Sequence, residues 1–597
     1  MAMSGTRKTV LIVGGILGVL ILFGVIGIAI IWAALGKGEP TIRDNSVLAL
    51  RVAGSLPDYT PDDPFKKFFG GPDQSLTGLV MQFKKAKVDN RIKAILLDVD
   101  MSGVGWGKAE EIRDAIADFR SSGKPVYAYI EFGLNKEYYI ATACDKVIVP
   151  PPGELFINGL AADVMFFRGS LDKLGVYPDI YQIGKYKSAG DMFTQKQMTD
   201  AHREYVNSLL DDLFNRYVET IAKDRHKSPD EIRKLIDDAP YSAQKAKEVG
   251  LIDETVYRDD VEKEIKKQLG YKDSDAFTPV RGADYRDVAP ESLGLNKGDR
   301  IAVIYASGDI GSGTSQNSPS GEQSIGSDTL AKALTDAAAD KTIKAIVLRV
   351  DSPGGSGLAS DIIWHAVDAA NQKKPVVISM SDVAASGGYY ISASASKIIA
   401  QPSTITGSIG VVAGKPVLRG FYDWLGISNE YVLRGKNAGM FRETEKFSDD
   451  ERKKFEDWIK ETYYNDFVPK VAKGRKKDPQ FIDSVGQGRV WTGSQAKDRS
   501  LVDEFGGLDR AIEVAKQLAH IPANKGVERV ILPYPQTFLQ QLLSGSNENA
   551  NTEAEKQRMV FAALPEDARR ALRYMQLMER MKNGESMFVM PFDVRVK

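Results

Sequence analysis

Apolar positions along the chain fall into three patterns. The first is an unbroken run at 10–35, VLIVGGILGVLILFGVIGIAIIWAAL, that carries no charge. About 20 apolar residues suffice to span a bilayer, and a secretory signal has an apolar core of only about 7–15. The run therefore predicts a permanent transmembrane anchor. Arg7 and Lys8 precede it, while Lys37 and Glu39 beyond it offset each other. The positive-inside tendency then leaves residues 1–9 in the cytoplasm and the chain after about residue 36 outside. In a bacterium this means a single-pass protein of the inner membrane, with its soluble part on the periplasmic or outer side.

The second pattern is short and nearly continuous: AILLDV within 92–100 and AIVLRV within 343–351. Runs of this kind are expected of strands buried on both faces. The third is helical, as in LASDIIWHAVDAANQ at 358–372, which follows such a strand and precedes Lys-Pro and the next one, VVISM. Strands alternating with helices predict an α/β fold with a mostly parallel sheet and right-handed crossovers.

These segments occur twice. IKAILLDVD at 92–100 returns as IKAIVLRVD at 343–351, an offset of 251 residues. GKPVYAYI (123–130) returns as KKPVVISM (373–380), YYIATACDKVIV (138–149) as YYISASASKIIA (389–400), and YSAQKAKEVGLIDE (241–254) as WTGSQAKDRSLVDE (491–504). The order and the nearly constant offset identify a tandem duplication, with a first unit at 46–278, a second at 298–525 and a C-terminal extension at 526–597. Within the extension, residues 544–556 are poor in apolar side chains and read as mobile. Residues 565–582 read as a helix, with Pro565 in its first turn and Gly584 just past its end.

Composition narrows the function. The net charge is −1, so nothing favours nucleic acid. The single cysteine, Cys144, excludes an intrachain disulfide and a cysteine-based zinc cluster, and the four histidines show no ligand spacing. No cofactor or metal is called for.

Candidate chemistry lies where the two copies differ. Ser386, in DVAASGGYYIS, sits among small residues that let a backbone and a substrate come close; the matching place in the first copy is Asn135. The loop DSPGGSG at 351–357 puts two glycines between a strand and a helix, where free N–H groups suit an oxyanion, whereas the first copy has DMSGVGWG. A base is also needed. GKYKSAG (184–190) aligns with RGKNAG (434–439), placing Lys187 opposite Lys436. A lysine serves as a base only when neutral, which requires burial or a neighbouring cation to lower its pKa from about 10.4.

The anchor, the tandem copies and the motifs GKYKSAG, DSPGGS, DVAASGGYYIS and PSTITGSIG together resemble signal peptide peptidase A (protease IV) in its long, double-domain form. The resemblance covers roughly residues 46–525 and the anchor. It implies tandem ClpP/crotonase-like domains and a serine peptidase with a Ser-Lys dyad. Ser386 would be the nucleophile and Lys187 the general base, with Lys185 as second choice. Gly354 and Gly355 would supply the oxyanion-hole amides, and Ser408 in TGSIG would orient the lysine. It further implies hydrophobic peptide substrates such as released signal peptides, and a homo-oligomer, tetrameric in the long form. Two alternatives share the fold: a crotonase-like acyl-transfer enzyme, which would use carboxylates for proton transfer, and a non-catalytic membrane scaffold.

Overall fold

The structure is a computed structural model that describes residues 42–54, 56–60, 74–272, 279–317, 323–533, 586–590 and 595–596, with a few positions between 18 and 27. The apolar run at 10–35, apart from those positions, and the segments 544–556 and 565–582 lie outside the described residues. Among the described residues no helix is long and apolar enough to cross a membrane.

The duplication is visible as duplicated topology. In the first copy five parallel strands lie in the order Val280–Arg281, Ser46–Gly54, Ile92–Ser102, Val126–Tyr129, Lys146–Ile148. In the second copy Val527–Leu532, Asp299–Ser307, Ile343–Ser352, Val376–Ala385 and Lys397–Ala400 repeat that order, again in parallel. The edge strand of each sheet thus lies just past the limits drawn from the repeat, at 278 and 525.

The near-continuous apolar runs have the expected cause. Along Ile92–Ser102, Ile95, Leu97 and Val99 enter one core while Ala94 and Leu96 enter another on the opposite face. Along Ile343–Ser352, Ile346, Leu348 and Val350 divide from Ala345 and Val347 in the same way. Full burial of each large aliphatic side chain stabilises the fold by about 1.5–3 kcal/mol, so both faces hold the central strands in place.

The two copies interlock through polar groups. Helix Trp106–Arg120 of the first copy starts against the second: the N–H groups of Gly105 and Lys108 donate to the Asp382 carboxylate at 2.9 and 2.7 Å. Lys108 Nζ reaches Asp351 at 2.8 Å. Arg349, only 1% exposed, donates to Asp58 at 2.8 Å and Glu111 at 2.7 Å, both from the first copy. A third sheet crosses the junction. Strand Tyr177–Ile183 of the first copy pairs antiparallel with Val411–Val417 of the second, from Tyr177 opposite Val417 to Ile183 opposite Val411. This pairing carries the loop that follows, GKYKSAG, into the second copy.

Candidate active site

Ser386 stands where strand Val376–Ala385 turns sharply into helix Gly387–Ser392. Its backbone is at φ 54°, ψ −110°, a strained conformation for a residue with a Cβ, costing of order 1–3 kcal/mol. The turn is held by the Ser386 N–H, which donates to the Gly407 carbonyl at 2.8 Å. Gly387 and Gly388 are required here: a Cβ on Gly388 would lie 2.6 Å from the Ser352 carbonyl oxygen, and one on Gly387 2.7 Å from Ser360 Oγ. The small residues around the serine therefore exist to let three backbone segments meet.

Lys187 arrives from the other copy. Its loop is fixed by the Tyr186 N–H donating to the Gln487 carbonyl at 2.8 Å and the Lys187 N–H to the Gly184 carbonyl at 3.0 Å. The side chain is 1% exposed, and its Nζ lies 2.8 Å from Ser386 Oγ, 3.1 Å from Ser408 Oγ and 3.1 Å from the Ser408 carbonyl oxygen. In the neutral form of the amine, its two N–H groups can donate to the two Ser408 oxygens, which leaves the lone pair for the Ser386 hydroxyl. Burial pushes the Lys187 pKa well below the usual lysine range, because the charged form loses its hydration without gaining an opposite charge. Ser408 is itself held at φ 51°, its N–H donating to the Arg489 carbonyl at 2.7 Å.

The glycine loop borders the same corner. Gly354 and Gly355 have φ of 108° and 158° and form the short strand Gly354–Ser356. The Gly354 N–H donates to Ser352 Oγ at 3.2 Å. A Cβ on Gly354 would lie 2.7 Å from Gly387 N, so the amide following the nucleophile faces the space over Gly354. Gly387 is absent from the candidates drawn from the sequence, yet its signal was present: it is the first residue after the serine, at a helix start.

The remaining candidates lie elsewhere. Lys185 is 65% exposed and hydrogen-bonds to the Tyr186 hydroxyl at 3.2 Å. Lys436, the second-copy counterpart of Lys187, is 73% exposed and pairs with Asp450 at 2.7 Å. Asn135, the counterpart of Ser386, is buried; its Nδ2 donates to the Gly159 carbonyl at 2.9 Å and its Oδ1 accepts from the Tyr217 hydroxyl at 3.3 Å.

Comparison with known proteins agrees with two related halves. Peptidase family S49 matches twice, at residues 118–272 and 368–522. The chain is 37% identical over 506 residues to the chloroplastic serine protease SPPA of Arabidopsis thaliana, covering 84% of this chain and 74% of the relative. It is 35% identical to Protease 4 of Salmonella typhi (75% of this chain, 73% of the relative) and 30% identical to Protease 4 of Haemophilus influenzae (86% and 84%). The chain belongs to peptidase family S49. It is a serine peptidase of that family, with the family's domain present in two copies. Both S49 matches fall within the paired parallel-sheet units, and the second contains Ser386.

Proposed function

We propose that this S49 peptidase cleaves peptide bonds with a dyad of Ser386 and Lys187, one residue from each copy. The observation that carries the reading is the 2.8 Å contact between a buried Lys187 Nζ and Ser386 Oγ, with the two Ser408 oxygens within reach of the amine hydrogens. Neutral Lys187 takes the Ser386 proton as Oγ attacks a peptide carbonyl. The oxyanion forms in the corner bounded by Gly354, where the backbone N–H groups of Gly355 and Gly387 stabilise it while the Gly354 N–H is engaged by Ser352 Oγ; losing one such donor commonly costs about 10²–10³ in kcat. The lysinium returns the proton to the leaving amine, and water releases the acyl group by the same route. Among the described residues no carboxylate hydrogen-bonds to Lys187, which disfavours crotonase-like proton transfer. A scaffold would have no use for a strained serine beside a buried lysine.

The parallel-sheet units fit the ClpP/crotonase-like architecture that the resemblance implies. The reading extends to a single-pass anchor at 10–35 in a bacterial inner membrane, a soluble part on the outer side, hydrophobic peptides such as signal-peptide remnants as substrates, and a homotetramer. It is tested with the purified chain and a fluorogenic hydrophobic peptide. Ser386→Ala and Lys187→Ala are each expected to abolish turnover, and wild-type turnover in either refutes the dyad. Activity should rise with pH as Lys187 loses its proton; activity that falls steadily from about pH 6 to 9 in folded protein contradicts it.

A further inference from the structure

The long helical region that follows each sheet unit does not repeat faithfully. Its hydroxyl caps, Thr199 and Ser448, are 249 residues apart, whereas the matching ends, Ala222 to Arg225 and Ala472 to Arg475, are 250 apart. The second copy therefore carries one residue more between them. It is taken up in a π-helical turn, Thr462–Phe467, inside a helical run that is otherwise α from Asp449 to Arg475. The Val468 N–H there donates to the Tyr463 carbonyl, five residues back. The first copy runs as one unbroken α-helix, Asp200–Asp224. Single π-turns of this kind concentrate at functional sites, and this one carries Tyr463.

Tyr463 is fully buried. Its hydroxyl donates to the Asp483 carboxylate at 2.8 Å and accepts from the Gln487 N–H at 3.1 Å. The Gln487 side chain closes the triangle, its Nε2 donating to the same Asp483 oxygen. Its Oε1 is thereby turned to accept from the Lys185 N–H at 3.1 Å, across the junction of the copies. The Gln487 carbonyl accepts from the next amide, Tyr186 N–H, at 2.8 Å. Two successive amides directly before Lys187 thus end on one glutamine of the other copy. Gln487 is held at φ 49°, a strained backbone for a residue with a Cβ. Gly184 meets it at φ 113°, where a Cβ would lie 2.4 Å from the Gln487 carbonyl carbon. The first copy has no such group: at the same offset of 250, Leu213, Arg233 and Asp237 stand in place of Tyr463, Asp483 and Gln487. It also has no lysine of the second copy to hold, since Lys436 is at the surface.

We propose that Tyr463, Asp483 and Gln487 form a positioning device for the general base, gripping the backbone of the Lys185–Lys187 loop so that the Lys187 amine stays against Ser386 and out of water. None of the three touches a reacting atom; they act through the loop. The inference rests on the reading of Lys187 as the base. Burial alone lowers the proton affinity of Lys187, so its basicity depends on how tightly the loop is closed. The charged groups on the solvent side of the loop, Lys185, Glu204 and Arg489, are engaged with one another. A loosened loop admits water to the amine, which favours its charged form and raises its pKa toward the usual range.

The test uses the full chain, a fluorogenic hydrophobic peptide, kinetics over a range of pH, and thermal melts. Gln487→Met keeps the side-chain volume and loses both side-chain hydrogen bonds. It should move the rising limb of kcat up by about one pH unit, lowering kcat near neutral pH about tenfold while KM stays nearly constant. Tyr463→Phe should shift the limb in the same direction. The double variant should add little to Gln487→Met, because members of one network are not additive. Tyr138→Phe is the control for stability. It loses an equally buried hydroxyl, which donates to the Leu251 carbonyl at 2.7 Å in the first copy, and should melt earlier without moving the limb. An unmoved limb in folded Gln487→Met and Tyr463→Phe overturns the inference, as does an equal shift in Tyr138→Phe. If Gln487→Met does not fold, Tyr463→Phe decides alone. Lys187→Ala keeps the two readings apart. If it is inactive while the limb of Gln487→Met is unmoved, the dyad stands and the positioning device falls; wild-type turnover in Lys187→Ala removes the dyad itself.

Discussion

Replacing Gly488 by alanine should disable the dyad without touching either of its members. Gly488 has φ +74°, and a Cβ built on it lies 2.5 Å from the N, Cα and Cβ atoms of Lys187. Ordinary contact begins near 3.4 Å, so the Lys187 backbone must retreat by about 0.9 Å, a misplacement of the size that costs about 10²-fold when it reaches the reacting groups. Carried rigidly along the side chain, this would lengthen the Lys187–Ser386 contact from 2.8 Å beyond hydrogen-bonding distance. A hundredfold loss in kcat corresponds to about 2.7 kcal/mol of barrier, with KM little altered because the groove strands are untouched. A positive φ adds its own strain of about 1 kcal/mol to an alanine. Gly435→Ala isolates that second effect, since Gly435 has φ +96° and nothing within 4 Å of the new Cβ. Steady-state kinetics on a fluorogenic peptide and thermal melts of both variants provide the comparison. The expected result is a loss of stability in both, larger in Gly488→Ala because of the added clash, with kcat falling only in Gly488→Ala. If Gly488→Ala keeps kcat within twofold while melting like Gly435→Ala, the lysine is not held in place by this contact.

Three further outcomes follow from buried charge. Lys187→Met should make the folded chain more stable near neutral pH. The folded-state pKa of Lys187 lies below its unfolded value, so between the two the unfolded chain holds more protons and wild-type stability rises with pH; every tenfold drop in the amine's proton affinity on folding corresponds to about 1.4 kcal/mol. Urea unfolding at several pH values should show that the Met variant's advantage shrinks as pH rises, and a pH-independent difference would contradict the cause. Arg349→Met leaves the carboxylates of Asp58 and Glu111 buried without their cation and should destabilise by about 3–5 kcal/mol, read by chemical denaturation. Asp382→Asn weakens the acceptor of the Gly105 and Lys108 amides and should cost about 1–3 kcal/mol, with a matching drop in melting temperature.

Much of this was legible in the sequence because the duplication supplied an internal comparison. Near-continuous apolar runs marked strands with two buried faces, and the serine and glycine pair stood out because Asn135 and MSGVGWG do not repeat them. The alignment of KSAG with KNAG favours Lys187 over Lys185, and the fold shows why the two differ: the loop turns at Tyr186, sending Lys187 inward and Lys185 to solvent. What could not be read was set by contacts distant in sequence. Burial of a lysine is invisible until the strand Tyr177–Ile183 is paired with Val411–Val417. The sheet edges at Val280–Arg281 and Val527–Leu532 are short runs whose role depends on the neighbour they join. Likewise MFV at 587–589 is too short to carry a periodic signal and becomes a strand only between two existing ones.

The asymmetry of the copies has a physical basis beyond the missing serine. Each copy starts its second helix after the second strand, and a helix start presents N–H groups and the positive end of a dipole to an anion. In the second copy that loop, Gly354 to Gly357, faces a peptide strand and the corner beside Ser386. In the first copy the amides of Gly105 and Lys108 are already taken by Asp382, which lies on the strand that leads into Ser386. Lys108 also grips Asp351, at the entrance to the Pro-Gly-Gly loop. The anion site of the first copy has therefore become a clamp on both working parts of the second, while its own third sheet strand delivers Lys187. A serine placed at Asn135 would restore little: its would-be oxyanion amides are occupied by a carboxylate, and the corresponding lysine, Lys436, is held at the surface by Asp450. On the proposed dyad, one site per chain follows from this division, the first copy contributing the base and the second the nucleophile.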